Sequence, residues 1–223
     1  MAKAPKAPEI YRTRLFLVTP KDYALAAFLP KLEAVLAAGD IATLLILPPK
    51  EGGYQEAAEA IIPLAQRHDI AALLYNDSRL MGRTGADGLL LDGPLEDIVE
   101  TVRSHAGKNI MGVGNIKARH EAMIVGEGPV DFLFFGRLGG DNAANIFPKT
   151  FKLAEWWCSL MEIPGVVMGG NTIESASDAA VAGIDFVVLC DAIWHSEDPA
   201  SAVRSVNRLL DQRFEERRAA QDG

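Results

Sequence analysis

Short apolar runs recur along the chain at 14–18 (RLFLV), 41–47 (IATLLIL), 70–75 (IAALLY) and 87–91 (DGLLL). They continue at 109–113 (NIMGV), 130–135 (VDFLFF), 165–168 (GVVM) and 185–189 (DFVVL). The runs are continuous rather than alternating, the mark of parallel strands covered on both faces. Helical spacing fills the gaps. Over 22–38, Leu25, Phe28, Leu29, Leu32, Val35 and Leu36 form one apolar stripe, and such a stripe buries one face of a helix. Further helices are predicted over 57–68, 95–104, 118–125, 152–161, 175–182 and 200–217.

Eight strand–helix units in 223 residues predict a single-domain (β/α)8 TIM barrel, since nearly all of this length is needed to close one. A doubly wound open sheet is the competing architecture. It is disfavoured because RLFLVTPKDY stands where a glycine-rich dinucleotide loop would follow the first strand. The domain is expected over 11–218, with an Ala/Pro/Lys-rich tail at 1–10 and a fraying tail at 219–223. The segment GRLGGDNAANIFP at 136–148 is the richest in chain breakers. In a barrel it becomes a loop on the substrate-binding face.

Composition narrows the function. The chain is 49% hydrophobic and 23% charged, with a formal charge of −8. An acid excess argues against a nucleic-acid partner. Two cysteines, Cys158 and Cys190, offer neither a disulfide framework nor a metal knuckle. No apolar run approaches the ~18 residues of a membrane span, and the N-terminus lacks a signal-peptide core. A cytoplasmic protein without a membrane partner is expected.

The chemistry of a barrel sits just past its strand tips. Four such loops stand out: Pro48-Pro49-Lys50 after strand two, Asn76-Asp77 after strand three, Gly169-Gly170 after strand seven and Cys190-Asp191 after strand eight. Glycine allows backbone N–H groups to approach a phosphate closely. Two of these regions carry a resemblance. YNDSRLMGRTGADGLLLDG looks like the "ND…GADG" segment of thiamine phosphate synthases. IPGVVMGGNTIESASDAAVAGIDFVVLCDAIWHSEDPASAV resembles that family's "GG…AG…SAI…DP" ending. The resemblance spans the whole barrel and extends to the sister group of thiazole tautomerases. It implies a transferase of thiamine biosynthesis that joins a pyrimidine diphosphate to a thiazole phosphate, with Mg²⁺ and release of pyrophosphate. A homodimer is implied by the family alone.

Carried over by position, the resemblance places Asn76 at the pyrophosphate and Asp77 at the Mg²⁺. Lys50 matches the basic residue ending "QLRxK", and Lys152 the lysine of "TxTK". Gly169 and Gly170 match the backbone holding the thiazole phosphate. The sequence also departs from the pattern. Ile46 and Pro48 replace the Gln and Arg of "QLR", and Gly114 replaces a serine. The second magnesium carboxylate falls at Leu95, beside Glu96. Asp191 stands where the family has a serine against phosphate. The 136–148 insertion displaces the "TxTK" equivalent, which reads KTFK. These departures keep two alternatives open: a thiazole tautomerase-like enzyme, or a non-catalytic binder of phosphate ligands.

Each candidate also has a plain structural reading. Asp77 binds Mg²⁺ or caps the helix after strand three. Lys50 neutralises a phosphate or extends into solvent, and Arg137 after strand six offers a replacement donor. Asp191 is a substrate-facing acid or base, or caps a short helix leading to Trp194. His195 reads as a surface residue, Cys190 as a small buried one. Trp156-Trp157 reads as core or dimer packing, or as a substrate platform.

Overall fold

The computed structural model describes residues 10–50 and 52–222. Eight parallel strands pair in chain order into one closed barrel: β1 (Arg14–Val18), β2 (Ile41–Ile46), β3 (Ala71–Tyr75), β4 (Gly88–Leu91), β5 (Ile110–Ile116), β6 (Phe132–Phe135), β7 (Gly165–Met168) and β8 (Phe186–Leu189). Closure is by β1 against β8, with Leu15 opposite Val187 and Leu17 opposite Leu189. Helices α1 (Leu25–Leu36), α2 (Tyr54–Gln66), α3 (Ser78–Thr84), α4 (Leu95–His105) and α5 (Arg119–Gly126) follow the first five strands. Helices α6 (Pro148–Cys158), α7 (Ser175–Val181), α8 (Asp191–Trp194) and α9 (Pro199–Asp222) complete the chain. The expected (β/α)8 TIM barrel is thus the observed fold.

Most element bounds shift by a few residues from the sequence expectation, and three of the differences have a local reason. Helix α3 is the short helix that the capping reading of Asp77 anticipates: Asp77 caps its start through Leu80 N–H at 2.7 Å, and Gly85 ends it in a left-handed conformation at φ 71°. Helix α6 starts at Pro148 rather than residue 152, because proline suits a first helical turn whose N–H groups have no partner. Helix α9 runs 24 residues to Asp222, so most of the segment expected as a C-terminal tail is helical. The N-terminal tail expected at 1–10 lies, except for Ile10, outside the described residues.

Period two sorts each strand between two cores. Phe16, Leu45, Leu73, Leu90, Phe134 and Val188 fill the barrel interior, whereas Leu15, Leu44, Leu74, Leu89 and Leu133 face the helices. In the interior, Phe16 meets Phe132 and Phe134 edge-on at centroid distances of 5.8 and 6.4 Å. Gly112 makes room for them, since a β-carbon there would collide with the Phe132 ring. The barrel centre is therefore packed, and only its mouth is open to a ligand.

The N-terminal end of the barrel is tied by charge. Arg12 reaches Asp211 on α9 at 2.6 Å and Asp40 ahead of β2 at 3.1 Å. Arg14 pairs with Asp40 and holds its carboxyl below the ordinary range. At the opposite end, hydrogen bonds of two aromatic side chains fix the strand tips. Tyr54 donates its hydroxyl to Ile46 carbonyl at 2.9 Å and accepts Tyr75 N–H at 2.7 Å. Trp194 Nε1 donates to Val18 carbonyl at 2.7 Å. Among the described residues, no helix is long and apolar enough to cross a membrane.

Candidate active site

Two clefts open side by side at the C-terminal mouth, and Leu138 lines both. The first, of about 570 Å³, brings together Lys21, Lys50, Tyr75, Asp92 and Arg137. The cations come from three loops, after β1, β2 and β6. Lys50 is 74% exposed and stands 3.7 Å from Asp22. Its backbone N–H donates to Lys21 carbonyl at 3.1 Å, which couples the first two loops. Arg137 follows Gly136, whose φ of 111° turns the chain sharply off β6. Such a concentration of cations at a packed barrel's mouth suits a polyanion.

Asp22 and Asp92 supply this cleft's carboxylates, and Asn76 holds the backbone of Asp92 in place. Asn76 adopts φ 54°, a left-handed conformation that asparagine tolerates. Its Oδ1 accepts Asp92 N–H at 2.7 Å and its Nδ2 donates to Asp92 carbonyl at 2.8 Å. Tyr75 donates its hydroxyl to Asp92 Oδ2 at 3.2 Å. Burial, reinforced by that carboxylate, raises the Tyr75 pKa, so its proton stays on. The Asn76 amide therefore positions Asp92. Asp77 lies one residue further, with Oδ1 engaged in capping α3.

The second cleft, about 270 Å³, has Val18, Leu47, Met168 and Cys190 among its walls and Asp141, Asp191 and His195 at its polar edge. Asp141 is 2% exposed and belongs to the loop after β6. Its Oδ2 accepts Asp191 N–H at 2.8 Å. The capping role expected of Asp191 thus falls to Asp141, because Asp191 is itself the first residue of α8. Burial, and next the charge of Asp141, raise the Asp191 pKa; His195, 3.9 Å away, and Lys21 oppose the shift. The same cluster pushes the buried Cys190 thiol up, chiefly through desolvation. His195 is 73% exposed, a surface residue as expected.

A raised carboxyl pKa sets a sign for stability. Between the ordinary Asp value and the raised one, the fold holds a proton that the unfolded chain releases, so stability falls as pH rises through that window. Asp191→Asn removes this cost. Its melting temperature should exceed the parent's at neutral pH by at most about 2–4 °C, with the gain fading in acid. Melting curves across pH test this, and an equal gain at all pH values would assign the effect to packing.

The glycine step after β7 is covered. Gly169 N–H donates to Val188 carbonyl at 2.9 Å and Gly170 N–H to Ser175 Oγ at 3.0 Å. Asn171 N–H donates to Ala143 carbonyl at 2.8 Å, and Thr172 Oγ1 to Ala144 carbonyl at 2.9 Å. A β-carbon on Gly170 would collide with Ala144 carbonyl. The loop after β6 is thus seated directly on Gly170 and the two residues that follow it.

Lys152 is exposed on α6 and lines neither cleft. Because α6 begins at Pro148, Lys152 falls on a helical turn and not in a loop. The Leu95 side chain lies outside the described residues, and Glu96 is exposed in the first turn of α4. Trp157 is core at 1% exposure, and Trp156 is half-buried beneath Arg119 at 4.7 Å. A further groove of about 610 Å³ runs along the flank between α1 and α8 and adjoins the second cleft at Pro20, Asp22 and His195.

Sequence reasoning did not single out Lys21, Asp92 or Asp141. Asp92 had a usable signal, since Gly88, Leu90 and Asp92 share one period-two face pointing inward. Lys21 lies in a strand-tip loop like the others, three residues past Val18. Asp141 sits in an aperiodic loop, whose path no pattern announces.

Residues 15–193 match the family model described as thiamine monophosphate synthase. The chain belongs to the thiamine monophosphate synthase family. A thiamine-phosphate synthase from Rhodospirillum centenum is 35% identical over 206 residues, covering 88% of this chain and 97% of that protein. One from Hyphomonas neptunium is 34% identical, covering 90% and 95%. Among solved structures, a thiamine phosphate pyrophosphorylase from Pyrococcus furiosus superposes with a TM-score of 0.72. It is 18% identical and covers 90% of this chain and 96% of its own, a likeness of fold. Within this thiamine monophosphate synthase family member, both clefts lie at the barrel end where such folds carry their chemistry.

Proposed function

We propose that the protein transfers a pyrimidinylmethyl group from its diphosphate to the ring nitrogen of a thiazole, releasing pyrophosphate. The observation that carries this reading is the convergence of Lys21, Lys50 and Arg137 on one cleft beside Asp92. The C–O bond to the diphosphate breaks with its electron pair on the leaving oxygen. The thiazole nitrogen then supplies the pair for the new C–N bond. The barrier lies in the charge that accumulates on pyrophosphate. Fixed cations lower it without reorganising during the reaction. The packed interior beneath the mouth, with Phe16 and Phe134 at 1% exposure, closes the site from below and excludes water there. Orientation of the two rings contributes the rest.

Asp92, with Asp77 on the neighbouring loop, offers hard oxygen donors of the kind Mg²⁺ takes, one or two carboxylates with substrate phosphates completing the shell. The Asn76 clamp on the Asp92 backbone and the Tyr75 hydroxyl on its Oδ2 support that fit, because together they hold a carboxylate at the cationic cleft. Bound there, Mg²⁺ would supply further charge neutralisation for the diphosphate. Small phosphorylated substrates and a cytoplasmic setting accord with this reading.

Incubating the purified chain with both substrates and Mg²⁺ tests it, with coupled product and pyrophosphate as readouts. The absence of both would sink it in favour of a non-catalytic binder, the reading supported by the covered glycine step. Lys50→Ala should lower kcat/KM about tenfold. The effect is moderate because Lys50 is largely exposed and paired with Asp22, and it should shrink as salt is added.

A further inference from the structure

We propose that Lys21 receives the phosphate of the thiazole acceptor in the second cleft and so sets the preference for the phosphorylated ring. The inference rests on the transferase reading and deepens it, because it assigns the acceptor's charged end to one side chain.

The cations divide unequally between the two clefts. Lys50 and Arg137 line the first alone, whereas Lys21 lines both. Among the described residues, Lys21 is therefore the one lysine or arginine on the wall of the second cleft. Lys50 stands 3.7 Å from Asp22, and among the described residues no ion pair holds Lys21. A phosphate bound in the second cleft has this ammonium as its charge partner.

The fold holds Lys21 from both sides. Thr19, fully buried two residues earlier, donates its N–H to Leu45 carbonyl at 3.0 Å, and its Oγ1 accepts Leu47 N–H at 3.0 Å. Lys21 carbonyl accepts Lys50 N–H at 3.1 Å. The ammonium itself is seated against Gly139 in the loop after β6. A β-carbon on Gly139 would lie 2.6 Å from Lys21 Nζ and 3.2 Å from its Cε, so any side chain there would push the ammonium away. The φ of 70° at this position favours glycine as well.

The neighbouring charges explain why a lysine is needed. Three carboxylates line the second cleft: Asp22, Asp141 and Asp191. Two are engaged, Asp22 with Lys50 and Asp141 with the N–H of Asp191. Asp191 has His195 at 3.9 Å. The charge of Lys21 also reaches this strand tip, where it opposes the upward pKa shifts of Asp191 and Cys190. Without Lys21, a phosphate would meet like charge alone. An uncharged alcohol would lose much less, since the carboxylates accept its hydrogen bond. Val18, Leu47, Leu138 and Met168 offer apolar walls to the ring of either ligand. Lys21 therefore separates the two by their charge.

Calorimetry on the purified chain tests the assignment with three probes: the thiazole phosphate, the corresponding alcohol, and pyrophosphate with Mg²⁺. Lys21→Met keeps the stem of an exposed side chain and removes its charge. It should weaken the thiazole phosphate about tenfold or more and leave the alcohol within about twofold. Pyrophosphate should weaken less than the thiazole phosphate. Lys50→Ala should show the reverse order, weakening pyrophosphate and sparing the thiazole phosphate. An unchanged affinity for the thiazole phosphate in Lys21→Met overturns the proposal. Equal weakening of phosphate and alcohol, a loss confined to pyrophosphate, or a parent chain that does not bind the thiazole phosphate overturns it too. If the parent binds the thiazole phosphate and forms no coupled product, the transferase reading fails alone. The Lys21→Met affinities then still decide the subsite.

Discussion

Arg137→Ala lowers kcat/KM for pyrophosphate release by about 100- to 1000-fold, the loss typical of removing one preorganised donor from a developing anion. Of the three cations at the first cleft, Arg137 alone carries a planar fork that can hold two phosphate oxygens at once. It projects from the turn at Gly136, directly off β6, so the barrel wall sets its position. Arg137→Lys should recover only part of the activity, because a point charge replaces the fork. Stability should change by no more than about 0.5 kcal/mol, as for other exposed positions. Steady-state rates beside a melting curve make the comparison. A fall in rate matched by a fall in melting temperature would assign the residue a structural role.

The largest effect on stability is expected at Trp157. The ring is 1% exposed and packs at centroid distances of 6.2 Å from Phe135 and 6.1 Å from Trp156. Its Nε1 donates to Ile163 carbonyl at 2.7 Å, which fixes the turn leading into β7. Gly126 and Gly165 leave room for the side chains: a β-carbon at Gly126 would lie 2.6 Å from the Trp157 ring, and one at Gly165 would collide with Cys158 Sγ. Trp157→Ala should cost about 3–5 kcal/mol, a large share of the 5–15 kcal/mol that a domain usually holds. Denaturant midpoints measure this directly. Trp157→Phe refills most of the volume and leaves the Ile163 carbonyl without its donor, for a loss of about 1–3 kcal/mol. A near-neutral Trp157→Ala would instead point to the interface or platform role open from the sequence.

The barrel was legible because its strands are buried on both faces. Such strands read as unbroken apolar runs, and 165–168 coincides with β7 to the residue. Helix α3 was harder to see. It has seven residues with Gly82 inside, too short for a stripe, although Asp77 and Gly85 mark its ends. At the site, Lys50 could be found because a cation follows a strand tip. Asn76 was noticed, but as a ligand-binding residue. Its amide is spent on the backbone of Asp92, a residue four places beyond Gly88 on the inward face. Asp141 and the Ala143 and Ala144 carbonyls were out of reach, since which donors a loop covers depends on how it folds back. The sequence located Asp191 at the right strand tip and left open what its N–H would meet.

Helix α9 has a practical bearing of another kind. Its 24 residues extend about 36 Å at 1.5 Å per residue, longer than a typical strand of roughly 17–20 Å. It starts near the mouth, after α8, and runs towards the end where Arg12 holds Asp211. Its final described turns therefore lie away from both clefts. Immobilised through a C-terminal tag, the molecule would turn its open face to the solution, so tethered and free protein should take up ligand alike.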